Sequence, residues 1–321
     1  MTSALRPYRT ALVPLDGSPA SGHAIPWAAA AVAPADGALY LARVHEPVVI
    51  AGGPIIGTEP LLDYDADADT RLAQADGLQA IASSVKERTR LAVHWALLDD
   101  GATHEMLRQH AADIGADLVV MTTHGRAGVS RAVFGSVTTA VVAETNVPVL
   151  VLRPHGTPPE PPIFIRRITV LLDGSALAEQ VLDPARRLAL PANASLELVR
   201  AVVPTPIPMA PGPMPLAMVD PDQLERDAAL ADAYLAAKAT ELRAMGHAVT
   251  TRVERGATVA SAVTEAVART DVVAMATHAR RGMSRALLGS VAEEVVRKCS
   301  KPVLLYRPQY GATDGTSRPA A

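Results

Sequence analysis

Aromatic side chains are scarce: two Phe, two Trp and six Tyr make up 3% of the 321 residues. A core for a chain of this length must then be packed from Ala, Val and Leu, and 49% of the residues are hydrophobic. Cysteine occurs once, as Cys299, which excludes an internal disulfide and fits a reducing compartment. Charge is sparse and nearly balanced, 30 Lys and Arg against 33 Asp and Glu, for a net of −3. That balance gives no general attraction to nucleic acid or to anionic membrane, so neither is expected as a partner. Runs of about 18 apolar residues are missing, which argues against a membrane span. The opening MTSALRPYRT lacks the apolar core of a signal peptide. A soluble, cytoplasmic protein is expected.

What the chain does have is one stretch written twice. Met121–Val137 reads MTTHGRAGVSRAVFGSV, and Met275–Val291 reads MATHARRGMSRALLGSV. The repeats share Thr123/Thr277, His124/His278, Arg126/Arg280, Gly128/Gly282, Arg131/Arg285, Gly135/Gly289 and Ser136/Ser290. Each follows a short apolar run, forms a loop carrying two or three arginines, and ends in Gly-Ser before an apolar helical segment. A helix opening after Gly offers unpaired N–H groups to an anion, and Ser is a good N-cap. The stretch therefore reads as a phosphate cradle. Its offset, like that of Asp16 and Asp173, spans nearly half the chain, so a whole domain is duplicated rather than a solenoid unit of about 20–50 residues.

Taken in order, the first half predicts strands at Thr10–Leu15, Ala38–Val44, Ala92–Leu98, Asp117–Met121 and Pro148–Leu152. Helices are predicted at Ser21–Ala33, Thr70–Leu91, Thr103–Ile114 and Val137–Glu144, with His45–Asp69 as a long loop able to lid a site. The second half predicts strands at Ile168–Leu172, Ser195–Val202, Val249–Glu254, Asp271–Met275 and Pro302–Tyr306. Its helices run to about Leu190, then over Leu224–Met245, Thr258–Ala268 and Val291–Lys298; Pro204–Pro221 replaces the long loop. Strands alternating with helices make this an α/β protein with two tandem doubly wound, Rossmann-like domains, each a five-stranded parallel sheet in an open α/β/α sandwich. Ligands in such sheets sit beyond the carboxyl ends of the strands, where Asp16, Val44 and Thr122 lie.

With these motifs in place, the chain resembles a tandem universal stress protein. The resemblance divides it into domains at 7–153 and 165–308, a Pro-rich linker at 154–164 and a tail at 309–321. Nucleotide-binding members of that family carry Gly, two residues, Gly, nine residues, then Gly-Ser or Gly-Thr. The first half matches with Thr122, Gly125, Gly135 and Ser136, losing one glycine; the second has Ala276, Ala279, Gly289 and Ser290, losing two. The resemblance implies adenine nucleotide (ATP, ADP or AMP, with Mg2+ as accompanying ion) bound most strongly in the first half. It places Pro14, Leu15, Asp16, Val44, Thr122, His124, Gly125, Arg126, Gly128, Gly135, Ser136, Val137 and Thr138 around the ligand there. The matching second-half residues are Asp173, His278, Arg280, Gly282, Gly289 and Ser290, but Val44 becomes Ala201 and Thr138 becomes Ala292. The implied role is a stress-response sensor or regulator with unidentified protein partners. It also implies that the halves pair through Pro148–Leu152 and Pro302–Tyr306, with a homodimer as the intermolecular version.

Blander readings compete. Gly135-Ser136 reads equally as a helix cap, Asp16 and Asp173 as Asx-turns before Gly, the arginines as a solvated face, and His124 and His278 as braces for the loop. Gly128–Ala132 lacks the last glycine of a hydrolase nucleophile elbow. His104, Glu105 and His110 have the wrong spacing for a zincin helix, and no Gly-Lys-Ser/Thr of a P-loop occurs. No metal site or enzyme is expected. The alternative function is an interaction protein in which the motif is structural only.

Overall fold

The structure is a computed structural model that describes residues 5–50, 62–99, 101–123, 135–154, 156–157, 159, 163–204, 207–208, 217–218, 220–277 and 289–309. Contacts divide the chain between Phe164 and Ile165.

The first unit contains β1 (Thr10–Pro14), α1 (Ala24–Val32), β2 (Ala38–Val44), α2 (Tyr64–Thr89), β3 (Ala92–Leu98), α3 (Thr103–Asp113), β4 (Leu118–Thr122), α4 (Ser136–Glu144) and β5 (Val149–Leu152). Its sheet is parallel throughout, in the order β5-β4-β1-β2-β3. The chain steps outward from β1 to β3 and then resumes on the other side of β1, so the winding reverses between β1 and β4. Continuous apolar runs suit strands covered on both faces: all five residues of β4 and all four of β5 are buried. The edge strand β3 is the exception, with Trp95 39% exposed. Fully buried Leu12, Leu39, Leu41, Leu118 and Leu150 make the core aliphatic; among the aromatics Tyr8 is fully buried, whereas Tyr64 and Phe164 are exposed.

The second unit repeats the plan with β6 (Arg167–Leu171), α5 (Ala176–Glu179), α6 (Leu182–Ala189), β7 (Ser195–Val202), a two-residue antiparallel pair β8 (Ile207–Pro208) and β9 (Ala217–Met218), α7 (Pro221–Ala244), β10 (Val249–Arg255), α8 (Val259–Ala262), α9 (Thr264–Ala268), β11 (Val272–Ala276), α10 (Ser290–Lys298) and β12 (Val303–Tyr306). Its parallel order is β10-β7-β6-β11-β12. Both units lock β-strand starts with one aspartate. Asp117 accepts from the Arg9 and Thr10 N–H groups at 3.2 and 3.0 Å, and Asp271 accepts from Arg166 and Arg167 at 2.8 and 3.0 Å.

Several boundaries differ from the sequence expectation for local reasons. α2 starts at Tyr64 rather than Thr70, because Asp63 caps it by accepting from Ala66 N–H at 3.1 Å and Asp65 and Asp67 favour the positive helix end. α7 starts at Pro221 rather than Leu224, with proline in the first turn and Asp220 as cap. The helix predicted up to Leu190 is two helices, since Pro184 fits the first turn of a new helix better than the interior of an old one. Thr258–Ala268 is likewise split, after a reciprocal Thr258–Ser261 cap. Of the loop expected over His45–Asp69, residues 51–61 lie outside the described residues; a single bridge joins Val49 and Leu62.

Candidate functional site

The site grows from a missing hydrogen-bond donor. The carbonyl of Thr10 accepts from Asp117 N–H at 3.0 Å, so alternate residues of β1, Leu12 and Pro14, also turn their backbone edge toward β4. Pro14 has no N–H to offer. The β1–β4 register accordingly covers only Ala11↔Leu118 and Leu12↔Val119. In the second unit Leu171 stands where Pro14 does, and the β6–β11 register runs on through Val170↔Ala274 and Leu171↔Met275. A proline thus lets the first sheet part at its switch point, on the carboxyl side where a ligand belongs.

A cavity of about 340 Å³ fills that parting, within the range of about 300–1,000 Å³ usual for small-molecule sites. Pro14, Leu15 and Asp16 line it from β1, Val44 from β2, Thr122 from β4, and Gly135, Ser136, Val137 and Thr138 from the start of α4. An adjoining space of about 230 Å³ extends past Asp16 and Val44 to Arg43 and Gln74. Nine of the predicted residues are therefore brought together on one wall set. His124, Gly125, Arg126 and Gly128 lie outside the described residues, as do His278, Arg280 and Gly282.

Asp16 does form an Asx-turn, as its bland reading holds: its Oδ1 accepts from Ser18 N–H at 2.9 Å and Ser18 Oγ at 2.7 Å. Burial pushes its carboxyl upward, but hydrogen bonds from Ser18, then Ser21 and its own backbone, together outweigh this and leave it below the ordinary aspartate value. The group is thus an anion fixed in place at the cavity wall. Gly17 packs against the Arg43 guanidinium, and its φ of 83° is strained for any residue with a side chain. That contact brings one cation to the mouth beside Asp16.

Gly135 is required by space rather than by conformation. Its φ is −59°, open to any residue, but a Cβ there would stand 2.6 Å from the Thr123 carbonyl oxygen. The Gly135 N–H donates to that same oxygen at 3.1 Å. Buried Thr138 completes the clamp, its hydroxyl donating to the Thr122 carbonyl at 3.2 Å. These contacts aim the first turn of α4 into the cavity, and helical geometry leaves the N–H groups of Ser136, Val137 and Thr138 without carbonyl partners inside the helix. One expectation changes here: the N-cap is Gly135, not Ser136, and Ser136 is the first helical residue with no side-chain capping bond. In the second unit the cap is again the glycine, Gly289, with φ 82°. Ser290 opens α10, and Ala276 and Ala292 replace the Thr122–Thr138 bond. Asp173 keeps the Asx-turn, accepting from Ser175 N–H at 2.8 Å.

Sequence reasoning missed Ser21, Ala42, Glu46, Thr103 and Leu107 on the cavity wall. Ala42 shares a strand face with Val44, and Thr103 and Leu107 lie one turn apart, so periodicity carried a signal for both. It also missed buried His45, whose Nε2 lies 2.8 Å from Asp67 Oδ1 and whose Nδ1 lies 3.1 Å from Gln74 Oε1. Asp67 further accepts from Val48 N–H at 2.9 Å and Arg71 Nε at 3.2 Å. The Val48 N–H, then His45, hold its carboxyl down at about 2 against the opposing pull of burial. This cluster fixes the chain just after Val44 and so sets where Glu46 meets the cavity.

Two motif-bearing units of this topology, each with a glycine-capped helix at its switch point, agree with the family model for the "Universal stress protein family", which matches residues 7–153 and again 165–307. The chain belongs to the universal stress protein family. A curated universal stress protein of Mycolicibacterium smegmatis is 28% identical over 302 residues, covering 93% of this chain and 97% of the relative. A single-domain member from Thermus aquaticus is 34% identical over 147 residues, 46% of this chain and 99% of its own length. Among solved structures, a universal stress protein of Archaeoglobus fulgidus superposes with a TM-score of 0.66 at 17% identity, covering 93% of this chain and 98% of that one. Both units are therefore family domains with a Rossmann-like α/β fold. Among the described residues, no helix is long and apolar enough to cross a membrane, and no three His, Cys, Asp or Glu side chains gather to hold a metal.

Proposed function

We propose that the first domain binds an adenine nucleotide, ATP foremost, and that the chain works as a nucleotide-responsive stress regulator rather than as a catalyst. The observation that carries this reading is the shared cavity: the first turn of α4 and the fixed Asp16 carboxylate open onto the same space. Phosphates suit the Ser136–Thr138 N–H groups and the positive helix end. Asp16 suits the hydroxyl or amino donors of the nucleoside, and Val44 its apolar base. A ligand with an anionic tail and a donor-rich body fits both ends, whereas a bare anion would meet Asp16 unfavourably.

Calorimetry on the purified chain tests it. ATP should bind at close to one per chain; Asp16→Ala should weaken binding more than Asp173→Ala, and Gly135→Asp with Ser136→Asp should abolish it. Unchanged affinity in the double variant would remove α4 as the cradle. No adenine nucleotide bound at all would favour the interaction-protein reading.

A further inference from the structure

A second, larger cavity of about 500 Å³ lies in the same domain on the far side of the Asp16–Gly22 turn. Its buried walls are Leu15, Ile25 and Val85, with exposed Ile81 at the mouth and Pro159 across it. The lining residue Gly22 has no side chain to fill it, and a Cβ built there meets nothing within 4 Å. The second domain carries other residues at the matching positions. With the 173 − 16 offset carried along both long helices, buried Leu78, Ala82 and Val85 correspond to buried Leu235, Ala239 and Leu242. In that same register Gly22 becomes Glu179, Gly77 becomes Tyr234 and Ile81 becomes Lys238. Those three replacements meet one another: Tyr234 donates to Glu179 Oε1 at 3.0 Å, and Lys238 Nζ lies 3.0 Å from Glu179 Oε2. The Arg200 guanidinium covers the Tyr234 ring at 5.4 Å. The three side chains bonded together in the second domain are thus two glycines and an isoleucine in the first.

Of the residues lining the first-domain cavity, Arg88 alone carries charge. Its Nε donates weakly to the Ser84 carbonyl at 3.4 Å, and no ion pair to it occurs among the described residues. An apolar chamber with a single guanidinium on its rim complements one ligand chemistry. We propose that this cavity binds an apolar molecule bearing one carboxylate, its chain against Ile25, Ile81 and Val85 and its head paired with Arg88. The site is separate from the nucleotide cradle, although Leu15 and Ser21 line both cavities.

Decanoate and its neutral counterpart decanol serve as probes, by calorimetry on the full chain. Decanoate should bind one per chain. Gly22→Glu with Ile81→Lys writes the second-domain ion pair across the mouth and should weaken decanoate by about tenfold or more; ATP binding, measured on the same sample, reports that the domain is folded. Arg88→Gln should weaken decanoate several-fold and leave decanol unchanged. A diazirine analogue of decanoate should label α2 near Ile81 and Val85, a readout that holds even where the double variant does not fold. No decanoate binding, equal affinity in the double variant, labelling elsewhere, or equal loss of decanol and decanoate in Arg88→Gln would each overturn the proposal.

Discussion

Gly135→Ala is the smallest change that separates a structural glycine from a merely convenient one. The backbone conformation at this position suits alanine, and alanine leaves the unfolded chain less freedom to lose, so backbone entropy alone predicts a small gain. Space predicts the opposite. The added methyl would stand 2.6 Å from the Thr123 carbonyl oxygen, and that oxygen is held by the Gly135 N–H itself. It cannot swing aside as the tip of a flexible side chain could, because Thr123 is buried and its own N–H donates to the Leu152 carbonyl at 2.8 Å. Relief must come from α4 backing away from the end of β4. Overpacking of this kind costs about 1–3 kcal/mol, and the Thr138 bond to Thr122, worth about 1 kcal/mol net, stretches with it. A loss of about 2 kcal/mol corresponds to a fall of roughly 4–8 °C in Tm for a domain of this size.

The same retreat carries the Ser136–Thr138 N–H groups away from the cavity, so ATP should bind about tenfold or more weakly, the equivalent of about 1.4 kcal/mol. Thermal unfolding and calorimetry on one preparation read both effects. Ser136→Ala is the control, since Ser136 is exposed and makes no capping bond; it should leave stability within about 0.5 kcal/mol. Equal Tm and ATP affinity in Gly135→Ala would show that the close approach does not exist, and with it would go the account of how α4 is aimed.

Pro14→Leu gives β1 the N–H that Leu171 gives β6; the ladder to β4 should lengthen, stability rise by about 0.5–1.5 kcal/mol, and ATP affinity fall as the parting narrows, whereas hydrogen exchange unaltered at Val120 and Thr122, which alternate with the β5-facing Val119 and Thr123, would refute the proline argument. The Asp67 carboxyl, held at about 2, contributes stability that is complete above the ordinary aspartate value near 4 and is lost as pH falls through about 2. Urea unfolding from pH 5 to pH 2 should show that acid-linked loss in the parent and a smaller one in Asp67→Asn; parallel curves would remove the His45–Asp67 cluster from the acid response.

The alternation of apolar strands and amphipathic helices was legible in the sequence because each element has its own period and each is bounded by Gly, Pro or Asp. The duplication was legible because eleven positions of one stretch recur. Helix starts were harder. Asp63 and Asp220 cap helices that begin among polar residues, before the first apolar position that periodicity can register. The Gly-Ser pair was read one residue late for a related reason: serine is the commoner cap, but only glycine fits under the Thr123 carbonyl. Contacts between residues far apart in sequence left no local signal at all. Nothing in Arg43 announces that it packs on Gly17, nor in Asp67 that it holds His45.

The two domains differ less in fold than in what a few substitutions do to the space beside β1. Proline at position 14 shortens a strand ladder that leucine at 171 extends. Threonine at 138 ties α4 to β4, where Ala292 does not reach. Glycine at 22 leaves a chamber wall bare, where the matching Glu179 accepts a bond from Tyr234. The first two changes bear on the cavity toward α4 and the third on the cavity toward α2, and the two cavities share Leu15 and Ser21. These differences fit a division of labour in which the first domain carries two ligand-sized spaces sharing the wall of Leu15 and Ser21.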